Sequence, residues 1–595
     1  MTRIGIDTGG TFTDFVVTRG DSVEVFKIRS NPADPAAVIM EGLRRAAAGK
    51  RDEVVHGSTV ATNALLERKG ARTALVTTSG FEDVIRIGRQ NRAQLYELSP
   101  PPKKGLADPN LCFGVRERTW FDGTVAQPPE GLEQLVRKLT RAGVESIAIC
   151  LLHSYANPAN ERAVREAVAD TAPYISSSHE ICPEFREYER TTTTFLNAYV
   201  GPLMDRYVSR LQSVPRLWVM QSNGGVIRAG EARSHAVRTL LSGPAGGVIG
   251  AVETARLSGF TKVLGFDMGG TSTDVSLSEG SPRQTTEAYI DGIPVRVPML
   301  DIQTVGAGGG SIARVDEGGL LRVGPESAGA IPGPACYGQG ELPTVTDAHV
   351  VLGRLEADRF LGGTMPIFPD RAASAIDSLA KRSRLSRKAT AEGILRVANA
   401  NMERAIRSVS VERGYDPREF ALVAFGGCGG LHACEVANDL GIQTVVVPEH
   451  AGVLSALGML MADRVRDYTA GALGRTASFH ELEKRARKDM PGCGLERYRD
   501  VRYVGQSYEL TVADGSSFHE AHRKMYGYAD EARPTEVVAI RVRAVHPVAR
   551  PQLKSSAKQK PVTGPALVTD YGATIWIPAG WRCHSDGYGN RVITR

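Results

Sequence analysis

The hydrophobic pattern at the start of the chain predicts three strands. Residues 3–7 form a short apolar run, residues 14–18 follow a glycine pair, and residues 22–28 alternate between apolar and polar. A helix is predicted over residues 36–48, opened by Asp34 and Pro35 and ended by Gly49. Further strands are predicted at residues 54–56 and 71–77, separated by a helix that stops near Gly70, and residues 146–152 form an apolar run typical of a strand buried on both faces. This alternation of strands and helices predicts an α/β architecture.

A second α/β block begins near residues 216–220. Long helices are predicted over residues 372–381 and 389–411, and a strand at residues 421–425 runs into a glycine cluster that precedes a helix at 431–435. A strand at 445–448 and a helix at 452–460 follow. After about residue 470 the segments become short and alternating, as in residues 536–546, which predicts a β-rich region. The proline run at residues 100–104 predicts an exposed loop.

A chain of 595 residues is too long for one hydrophobic core. We predict three regions: an N-terminal lobe over residues 1–182, a second lobe over 183–470, and a smaller β-rich C-terminal module over 471–595. The two lobes are expected to be related, because a sequence repeat recurs at a spacing too long for a solenoid.

That repeat joins residues 4–14, which read IGIDTGGTFTD, to residues 264–274, which read LGFDMGGTSTD. Each copy is an apolar run followed by an aspartate, two glycines and hydroxyl side chains. A glycine pair after a strand lets backbone N–H groups approach an anion without obstruction by a Cβ atom. One such segment alone is equally consistent with a glycine-rich hairpin whose aspartate caps the turn. Two matched copies favour a phosphate held from both sides.

The candidate phosphate-binding residues are the glycines of both copies and the threonines that follow them: Gly9, Gly10, Thr11, Thr13, Gly269, Gly270, Thr271 and Thr273. Asp7 and Asp267 end the two strands and cannot favourably touch a phosphate themselves. We predict that they form the catalytic pair, with Mg²⁺ between them or with a water or a substrate group to orient. The residues alone do not separate these roles.

Composition excludes several classes of protein. The chain is 42% hydrophobic and 23% charged with a formal net charge of +6, which is small for its length, and its basic runs are short, so nucleic-acid binding is not expected. No apolar run reaches the ~18 residues of a membrane span, and the first residues enter a strand pattern without a secretory signal. The eight cysteines include no CxxC pair. These features together predict a cytoplasmic protein without a membrane partner.

Two DxGGTxTD segments and a later glycine cluster resemble the superfamily of sugar kinases, Hsp70 and actin. More specifically, the chain resembles the ATP-binding subunit of the hydantoinase A/5-oxoprolinase family, which includes N-methylhydantoinase and acetone carboxylase subunits. The motifs that carry this resemblance lie at residues 56–70 (HGSTVATNALLERKG), 152–155 (LHSY), 187–190 (EYER), 221–225 (QSNGG), 242–247 (SGPAGG), 304–313 (TVGAGGGSIA), 332–337 (PGPACY) and 344–347 (TVTD).

The resemblance implies two actin-like, ribonuclease H-like lobes around an ATP cleft. It also implies that Gly426 and Gly427, in the FGGCGG cluster at residues 425–430, flank the adenosine. The family's loop usually reads FGGAGP, so Cys428 and Gly430 depart from it. On the substrate side we predict His56, Thr59 and Asn63, in the segment after a strand of the first lobe. His56 could donate to a carbonyl, or it could be a buried histidine bonded to the backbone.

Members of this family are understood to couple ATP cleavage to the opening of a cyclic amide or imide, or to the carboxylation of a ketone. The leading hypothesis is therefore an ATP- and Mg²⁺-dependent hydrolase subunit for a hydantoin, oxoproline or other lactam. The alternatives are the ATP-using subunit of an acetone- or acetophenone-type carboxylase, a nucleotide-gated switch of the actin or Hsp70 type, and a sugar kinase. A hydantoinase B-type partner and a hetero-oligomer are also implied by the resemblance.

Overall fold

The computed structural model describes residues 2–31, 33–91, 96–99, 105–363, 365–475, 477–553, 560–570 and 572–595. The predicted loop at residues 100–104 lies outside these ranges. Strands supply most of the regular structure near both chain ends. In chain order the strands are β1 (Thr2–Thr8), β2 (Phe12–Arg19), β3 (Ser22–Arg29), β4 (Glu53–Gly57), β5 (Thr73–Thr78), β6 (Cys112–Thr119), β7 (Val125–Glu130), β8 (Ser146–Cys150), β9 (Tyr174–Ser177), β10 (Leu217–Met220), β11 (Val226–Arg228), β12 (Lys262–Met268), β13 (Thr273–Glu279), β14 (Ser281–Pro282), β15 (Gln284–Thr285), β16 (Ala288–Ile290), β17 (Ile293–Val295), β18 (Met299–Leu300), β19 (Ile302–Val305), β20 (Ser311–Val315), β21 (Leu321–Ser327), β22 (Ala421–Phe425), β23 (Thr444–Val447), β24 (Arg464–Gly471), β25 (Gly494–Tyr503), β26 (Leu510–Ala513), β27 (Thr535–His546), β28 (Val562–Thr563), β29 (Ala566–Asp570), β30 (Ala573–Ile577), β31 (Arg582–Ser585) and β32 (Arg591–Thr594).

Helices cover the sheets and connect them. In chain order the α-helices are α1 (Pro35–Arg45), α2 (Val60–Leu66), α3 (Val84–Ile87), α4 (Leu132–Ala142), α5 (Ala159–Ala167), α6 (Ser178–Ile181), α7 (Glu187–Arg210), α8 (Ala229–Ser234), α9 (Ser242–Leu257), α10 (Val345–Val351), α11 (Pro369–Ser383), α12 (Arg387–Val409), α13 (Gly426–Leu440), α14 (Leu454–Met461), α15 (Phe479–Asp489) and α16 (Phe518–Tyr526).

Two large sheets share one strand arrangement. In the first, the order β11-β10-β4-β1-β2-β3 has β10, β4 and β1 parallel to one another, and antiparallel partners at both ends. In the second, β32-β23-β22-β12-β13-β19 repeats both the order and the directions. The prediction of two related α/β lobes is therefore confirmed. The sequence repeat corresponds to the β1–β2 hairpin of one lobe and the β12–β13 hairpin of the other.

Most predicted elements are observed within a few residues of their expected ends. The predicted run at residues 146–152 is β8, whose five residues are all buried because β5 and β9 flank it and helices cover it. The predicted helices at 372–381 and 389–411 are α11 and α12. One boundary differs: α13 begins at Gly426, so the glycine cluster forms the first turn of the helix rather than a loop before it.

The C-terminal residues are β-rich, as predicted, but most of their strands join the two large sheets. Strands β25, β26 and β27 extend the first sheet beyond β24, whereas β28, β31 and β32 complete the second. A pair, β29–β30, packs its second strand against α13. The C-terminal strands thus pair with β24 of the first sheet and with β23 of the second, which would otherwise be edge strands. The boundaries at 182/183 and 470/471 remain a prediction about folding units.

Helices α9 and α14 pack together at very short distance between the lobes. A Cβ atom added at Gly458 would lie 2.0 Å from the carbonyl oxygen of Gly246, and one at Gly250 would lie 2.9 Å from that of Leu454. Helix α14 also presses on β1, since a Cβ atom at Gly5 would lie 2.1 Å from the carbonyl oxygen of Ala456. Gly246 of the SGPAGG motif contributes as well, since a Cβ atom there would lie 2.8 Å from the carbonyl oxygen of Ser455. This packing connects the strands of the first hairpin to helix α9, which packs against β12 of the second.

Candidate active site

The two hairpins have the same register. In the first, Asp7 faces Asp14 across the strand pair, and in the second, Asp267 faces Asp274. Each turn is closed by one backbone bond, from Gly9 N to Phe12 O and from Gly269 N to Ser272 O, both 3.0 Å long. The glycine pairs are therefore the tips of matched hairpins, as the repeat predicts.

Both tips open into a single cavity of about 330 Å³ between the lobes. Residues of the two hairpins and of the third glycine cluster line it together. Of the predicted site residues, the lining contains Asp7, Gly9, Gly10, Thr11, Asp267, Gly269, Gly270, Thr271, Gly426 and Gly427. The three glycine-rich segments, which are up to 420 positions apart in sequence, thus converge on one site.

Thr13 and Thr273 are not among the lining residues. Both are buried, and both hydroxyls already have protein partners. The Thr13 hydroxyl lies 3.0 Å from the Ser30 hydroxyl, and the Thr273 hydroxyl donates to the carbonyl of Ala307 at 2.5 Å. These side chains therefore bond the hairpins to neighbouring segments of the chain. Their predicted phosphate contact stays a prediction.

Burial raises the pKa values of all four hairpin aspartates, and neighbouring aspartates raise those of Asp7 and Asp267 further. Burial, reinforced by the nearby Asp14 carboxylate, raises the pKa of Asp7 to about 7 although Lys27 opposes the shift. Burial raises the pKa of Asp267 well above its usual range, and Asp274, Asp7 and Asp14 add repulsion. The pKa of Asp274 is raised by burial to about 6. Such a cluster of half-buried carboxylates with raised pKa values in a cleft is typical of a functional site.

The carboxylates of Asp7 and Asp267 are suitable ligands for a divalent cation, because they offer only oxygen donors and repel each other. Asp7 and Asp267 line the same cavity, and the charge of Asp7 raises the pKa of Asp267. A hard cation between the two carboxylates would relieve that repulsion, and Mg²⁺ needs only one or two carboxylates beside waters and phosphate oxygens. Among the described residues no group of three or more His, Cys, Asp or Glu side chains forms a metal site by itself.

The first turn of α13 forms one wall of the cavity. Gly426 adopts a φ of +77°, which favours glycine, and a Cβ atom there would lie 2.5 Å from both Asp267 Oδ1 and the carbonyl oxygen of Met268. The helix therefore begins against the second hairpin, and its first turn, whose N–H groups have no acceptor within the helix, lines the cavity. Gly430, which departs from the family pattern, allows β30 to approach, since a Cβ atom there would lie 2.7 Å from the carbonyl oxygen of Thr574.

The far end of the cavity is apolar and aromatic. Its lining comes from segments that sequence analysis did not assign to the site, namely Tyr337, Leu355, Phe360 and Leu431. Part of the C-terminal region, residues 569–570 and 572–574, also lines the cavity. The PGPACY motif at residues 332–337 was a signal for this wall, but the pairing of the C-terminal region with the second lobe had no local signal.

A third backbone segment supports the second hairpin. Gly309 N donates to Gly269 O at 3.0 Å and Gly310 N donates to Gly270 O at 2.6 Å. A Cβ atom at Gly308 would lie 2.7 Å from the backbone of Thr271. The glycine run at residues 306–310 thus orients the second hairpin, and Gly310 also lines the cavity.

The predicted substrate-side residues lie apart from the cavity lining. His56 is buried, with Nδ1 3.3 Å from the carbonyl oxygen of Ile6 and Nε2 2.6 Å from the Tyr207 hydroxyl. Burial lowers the pKa of His56 to about 4, so the ring is neutral near pH 7. Thr59 is half-buried and Asn63 is exposed. The geometry matches the bonded, buried histidine considered as the alternative, and substrate contact by these three residues remains a prediction.

Asp347, in the TVTD motif, is the third residue of α10 and forms a capping box with Thr344, which is the N-cap of that helix. Within the described ranges, no helix is long and apolar enough to cross a membrane.

Two family models match the chain. The hydantoinase/oxoprolinase model covers residues 190–468, and the model of the hydantoinase/oxoprolinase N-terminal region covers residues 3–172. Among curated proteins, the caprolactamase subunit alpha of Pseudomonas jessenii is 34% identical over 98% of this chain and 90% of its own length. The 5-oxoprolinase 1 of Arabidopsis thaliana is 32% identical over 99% of this chain but only 54% of its own length.

Two solved structures share the whole fold. The ATP-dependent caprolactamase from Pseudomonas jessenii is similar with a TM-score of 0.87 and 30% identity, covering 100% of this chain and 99% of that one. The nucleotide-free structure of acetone carboxylase is similar with a TM-score of 0.80 and 25% identity, covering 99% of each chain.

Proposed function

Because the chain belongs to the hydantoinase/oxoprolinase family, we propose that it is the ATP-binding subunit of an enzyme that hydrolyses a cyclic amide. The observation that carries this proposal is the convergence of two matched glycine hairpins and the first turn of α13 on one cavity. The similarity to a caprolactamase subunit and to a 5-oxoprolinase supports a lactam as the substrate class.

Lactams resist hydrolysis because the ring nitrogen donates electrons into the carbonyl. In the proposed reaction the terminal phosphoryl group of ATP moves to the lactam carbonyl oxygen: the bond from phosphorus to ADP breaks and a bond to the carbonyl oxygen forms. Water then adds to the activated carbon, the carbon–nitrogen bond breaks, and phosphate leaves. The products are the ring-opened amino acid, ADP and phosphate.

The residues of this chain align the reactants and neutralise charge. Gly10 and Gly270 supply backbone N–H groups to the phosphates, since those of Gly9 and Gly269 close the turns, and Thr11 and Thr271 add hydroxyl donors. The first turn of α13 and the aromatic end of the cavity hold the nucleoside. Asp7 and Asp267 would hold Mg²⁺, which would supply positive charge to neutralise the phosphates.

A second subunit is part of the proposal. The relatives include a protein named as subunit alpha of caprolactamase, and this chain spans about half the length of the 5-oxoprolinase that it matches. We therefore propose a hetero-oligomer with a hydantoinase B-type partner, located in the cytoplasm. The similarity to acetone carboxylase over 99% of the chain favours one alternative, the ATP-using subunit of a ketone carboxylase.

The test measures phosphate release from Mg-ATP by the full chain, with and without the product of the neighbouring gene, against a panel of lactams and of ketones with bicarbonate. We expect release that a lactam stimulates and that Asp267→Asn reduces by about a hundredfold or more. Stimulation by a ketone only with bicarbonate would select the carboxylase. Tight ATP binding that no substrate affects, with the partner present, would contradict both and favour a nucleotide-gated switch.

A further inference from the structure

The two hairpins differ at one pair of equivalent positions. Asp14 of the first hairpin faces Lys27 on β3, and Asp274 of the second faces Thr304 on β19. Lys27 Nζ donates to Asp14 Oδ1 at 2.7 Å, and the Thr304 hydroxyl donates to Asp274 Oδ1 at 2.5 Å. The related strands therefore place a cation in one lobe where the other has a neutral hydroxyl.

Only the first of these pairs reaches the cavity. Asp14 and Lys27 are lining residues, whereas Asp274 and Thr304 are not. The Lys27 side chain is only 13% exposed, so its ammonium group is held in a site of low water content. The difference between the lobes is thus a difference in the charge presented to the ligand.

Lys27 also joins the hairpin to the element that connects the lobes. Its Nζ donates to the carbonyl of Gly452 at 2.6 Å, just before α14 begins. A Cβ atom added at Gly572 would lie 3.4 Å from Lys27 Cε, so the C-terminal region packs along the same side chain. The ammonium position is therefore defined from three directions.

The bonding capacity of Lys27 is not exhausted. An ammonium group has three N–H donors, and within the described part of the chain two of them are used, by Asp14 and Gly452. The third is available to an acceptor in the cavity that Lys27 lines. Because the cavity also presents the carboxylates of Asp7, Asp14 and Asp267, a polyphosphate needs a compensating positive charge there.

The position of Lys27 relative to the proposed nucleoside site determines which phosphate of a bound nucleotide it can contact. The second hairpin abuts the first turn of α13, where a Cβ atom at Gly426 would lie 2.5 Å from Asp267 Oδ1. The aromatic end, with Tyr337 and Phe360, belongs to the second lobe as well. The proposed nucleoside site therefore adjoins the second hairpin, which would put the first hairpin with Lys27 further along the phosphate chain of a nucleotide bound there.

We propose that Lys27 binds the terminal phosphate of the nucleotide, so that the first hairpin holds the phosphoryl group that is transferred and the second holds the phosphates that remain on ADP. This inference rests on the proposed function, because it requires ATP in the cavity. It adds a residue outside the repeated motif and gives the two hairpins different roles.

The experiment compares two nucleotides on the full chain with Mg²⁺, by calorimetric titration with ADP and with a non-hydrolysable ATP analogue. Lys27→Gln keeps an amide donor for the Gly452 carbonyl and removes the charge. Loss of a charge-assisted bond predicts a ten- to hundredfold weaker affinity for the analogue, and we expect an affinity for ADP within about threefold of the wild type. Lys27→Arg should restore part of the difference.

Lys262→Gln is the matched control, since it makes the same substitution at an exposed lysine whose partner is Glu419. It should leave both affinities unchanged. Equal losses for ADP and the analogue in Lys27→Gln, or no loss for either, would overturn the inference while leaving nucleotide binding intact. A wild-type chain that binds neither nucleotide would overturn the proposed function and the inference with it. Should Lys27→Gln unfold, the analogue-to-ADP affinity ratio of Lys27→Met, which also removes the charge, decides, since an unchanged ratio overturns the inference.

Discussion

The two lobes repeat one strand order, yet they use the position after the equivalent parallel strand differently. In the second lobe β22 leads directly into α13, whose first turn lines the cavity. In the first lobe β4 leads through residues 58–59 into the short helix α2, and His56 at its end is bonded to Tyr207 away from the cavity. The two lobes thus share the same hairpin but differ in the elements that surround it.

The largest expected effect concerns the glycine at the end of each strand, which is Gly57 as the last residue of β4 and Gly426 directly after β22. A Cβ atom at Gly426 would meet Asp267 Oδ1 and the backbone oxygen of Met268, both at 2.5 Å, at a φ of +77°. A Cβ atom at Gly57 would meet mainly the flexible end of Met459, at 2.1 Å. We expect Gly426→Ala to lower the free energy of unfolding by about 3 kcal/mol or more, and Gly57→Ala by only about 1–2 kcal/mol.

Urea unfolding of the two variants measures this difference. Gly427→Ala is the control, because an added Cβ atom there has nothing within 4 Å. Equal losses in Gly426→Ala and Gly57→Ala would mean that the two strand ends are equivalent after all.

The second effect is a pH dependence that differs between the hairpins. The folded-state pKa of Asp7 is raised to about 7 and that of Asp274 to about 6, above the unfolded value near 3.8. At pH values between the unfolded and the folded-state pKa of each carboxyl, the folded chain retains a proton that the unfolded chain has lost. The free energy of unfolding therefore falls as pH rises through this range. The fall should end near pH 7 for Asp7 and near pH 6 for Asp274.

Removing the charge should therefore stabilise the protein without divalent ions. At pH 7.5 we expect Asp7→Asn to raise the free energy of unfolding by on the order of 2 kcal/mol, a value reduced for the part of the carboxyl that stays open to water in the cavity. Asp274→Asn should have a smaller effect. Urea unfolding from pH 4 to 8 with a chelator checks this, and parallel curves for Asp7→Asn and the wild type would refute the assignment.

The third prediction distinguishes substrate binding at the end of β4 from a purely structural role of that segment. Tyr207→Phe leaves His56 Nε2 without its partner at 2.6 Å, and an unpaired buried acceptor costs about 1–2 kcal/mol of unfolding free energy. The KM for the lactam should not change. Asn63→Ala, at an exposed position of α2, should leave stability unaffected, and a raised KM in that variant would support the predicted substrate contact.

The smallest effect compares the hairpin tips themselves. A Cβ atom at Gly9 would lie 3.0 Å from the carbonyl oxygen of Phe12, whereas one at Gly269 would lie 3.8 Å from that of Ser272. We expect Gly9→Ala to be less stable than Gly269→Ala by about 1 kcal/mol. The unfolding midpoints of the two variants give this difference, and a reversed order would show that the first tip is the more adaptable one.

Much of the site could be predicted because its chemistry is local in sequence. The repeat at residues 4–14 and 264–274 identified Asp7, Asp267 and both glycine pairs, since each copy holds the strand, the aspartate and the glycines of one hairpin in a single short segment. The buried state of Thr13 and Thr273 could not be predicted, because their partners Ser30 and Ala307 lie on other segments. Lys27 carries no motif, and its role depends on the strand pairing that places it opposite Asp14.

The amino-acid sequence by itself determined the family, the two-lobed α/β architecture and the glycine hairpins, because each depends on short-range patterns of apolar, glycine and carboxylate positions. Only the tertiary structure decided that the C-terminal strands complete both lobes, that α13 begins at the glycine cluster, and that one lobe offers Lys27 where the other offers Thr304. These features arise from contacts between residues far apart in the chain, and neither the type nor the spacing of nearby residues encodes such contacts.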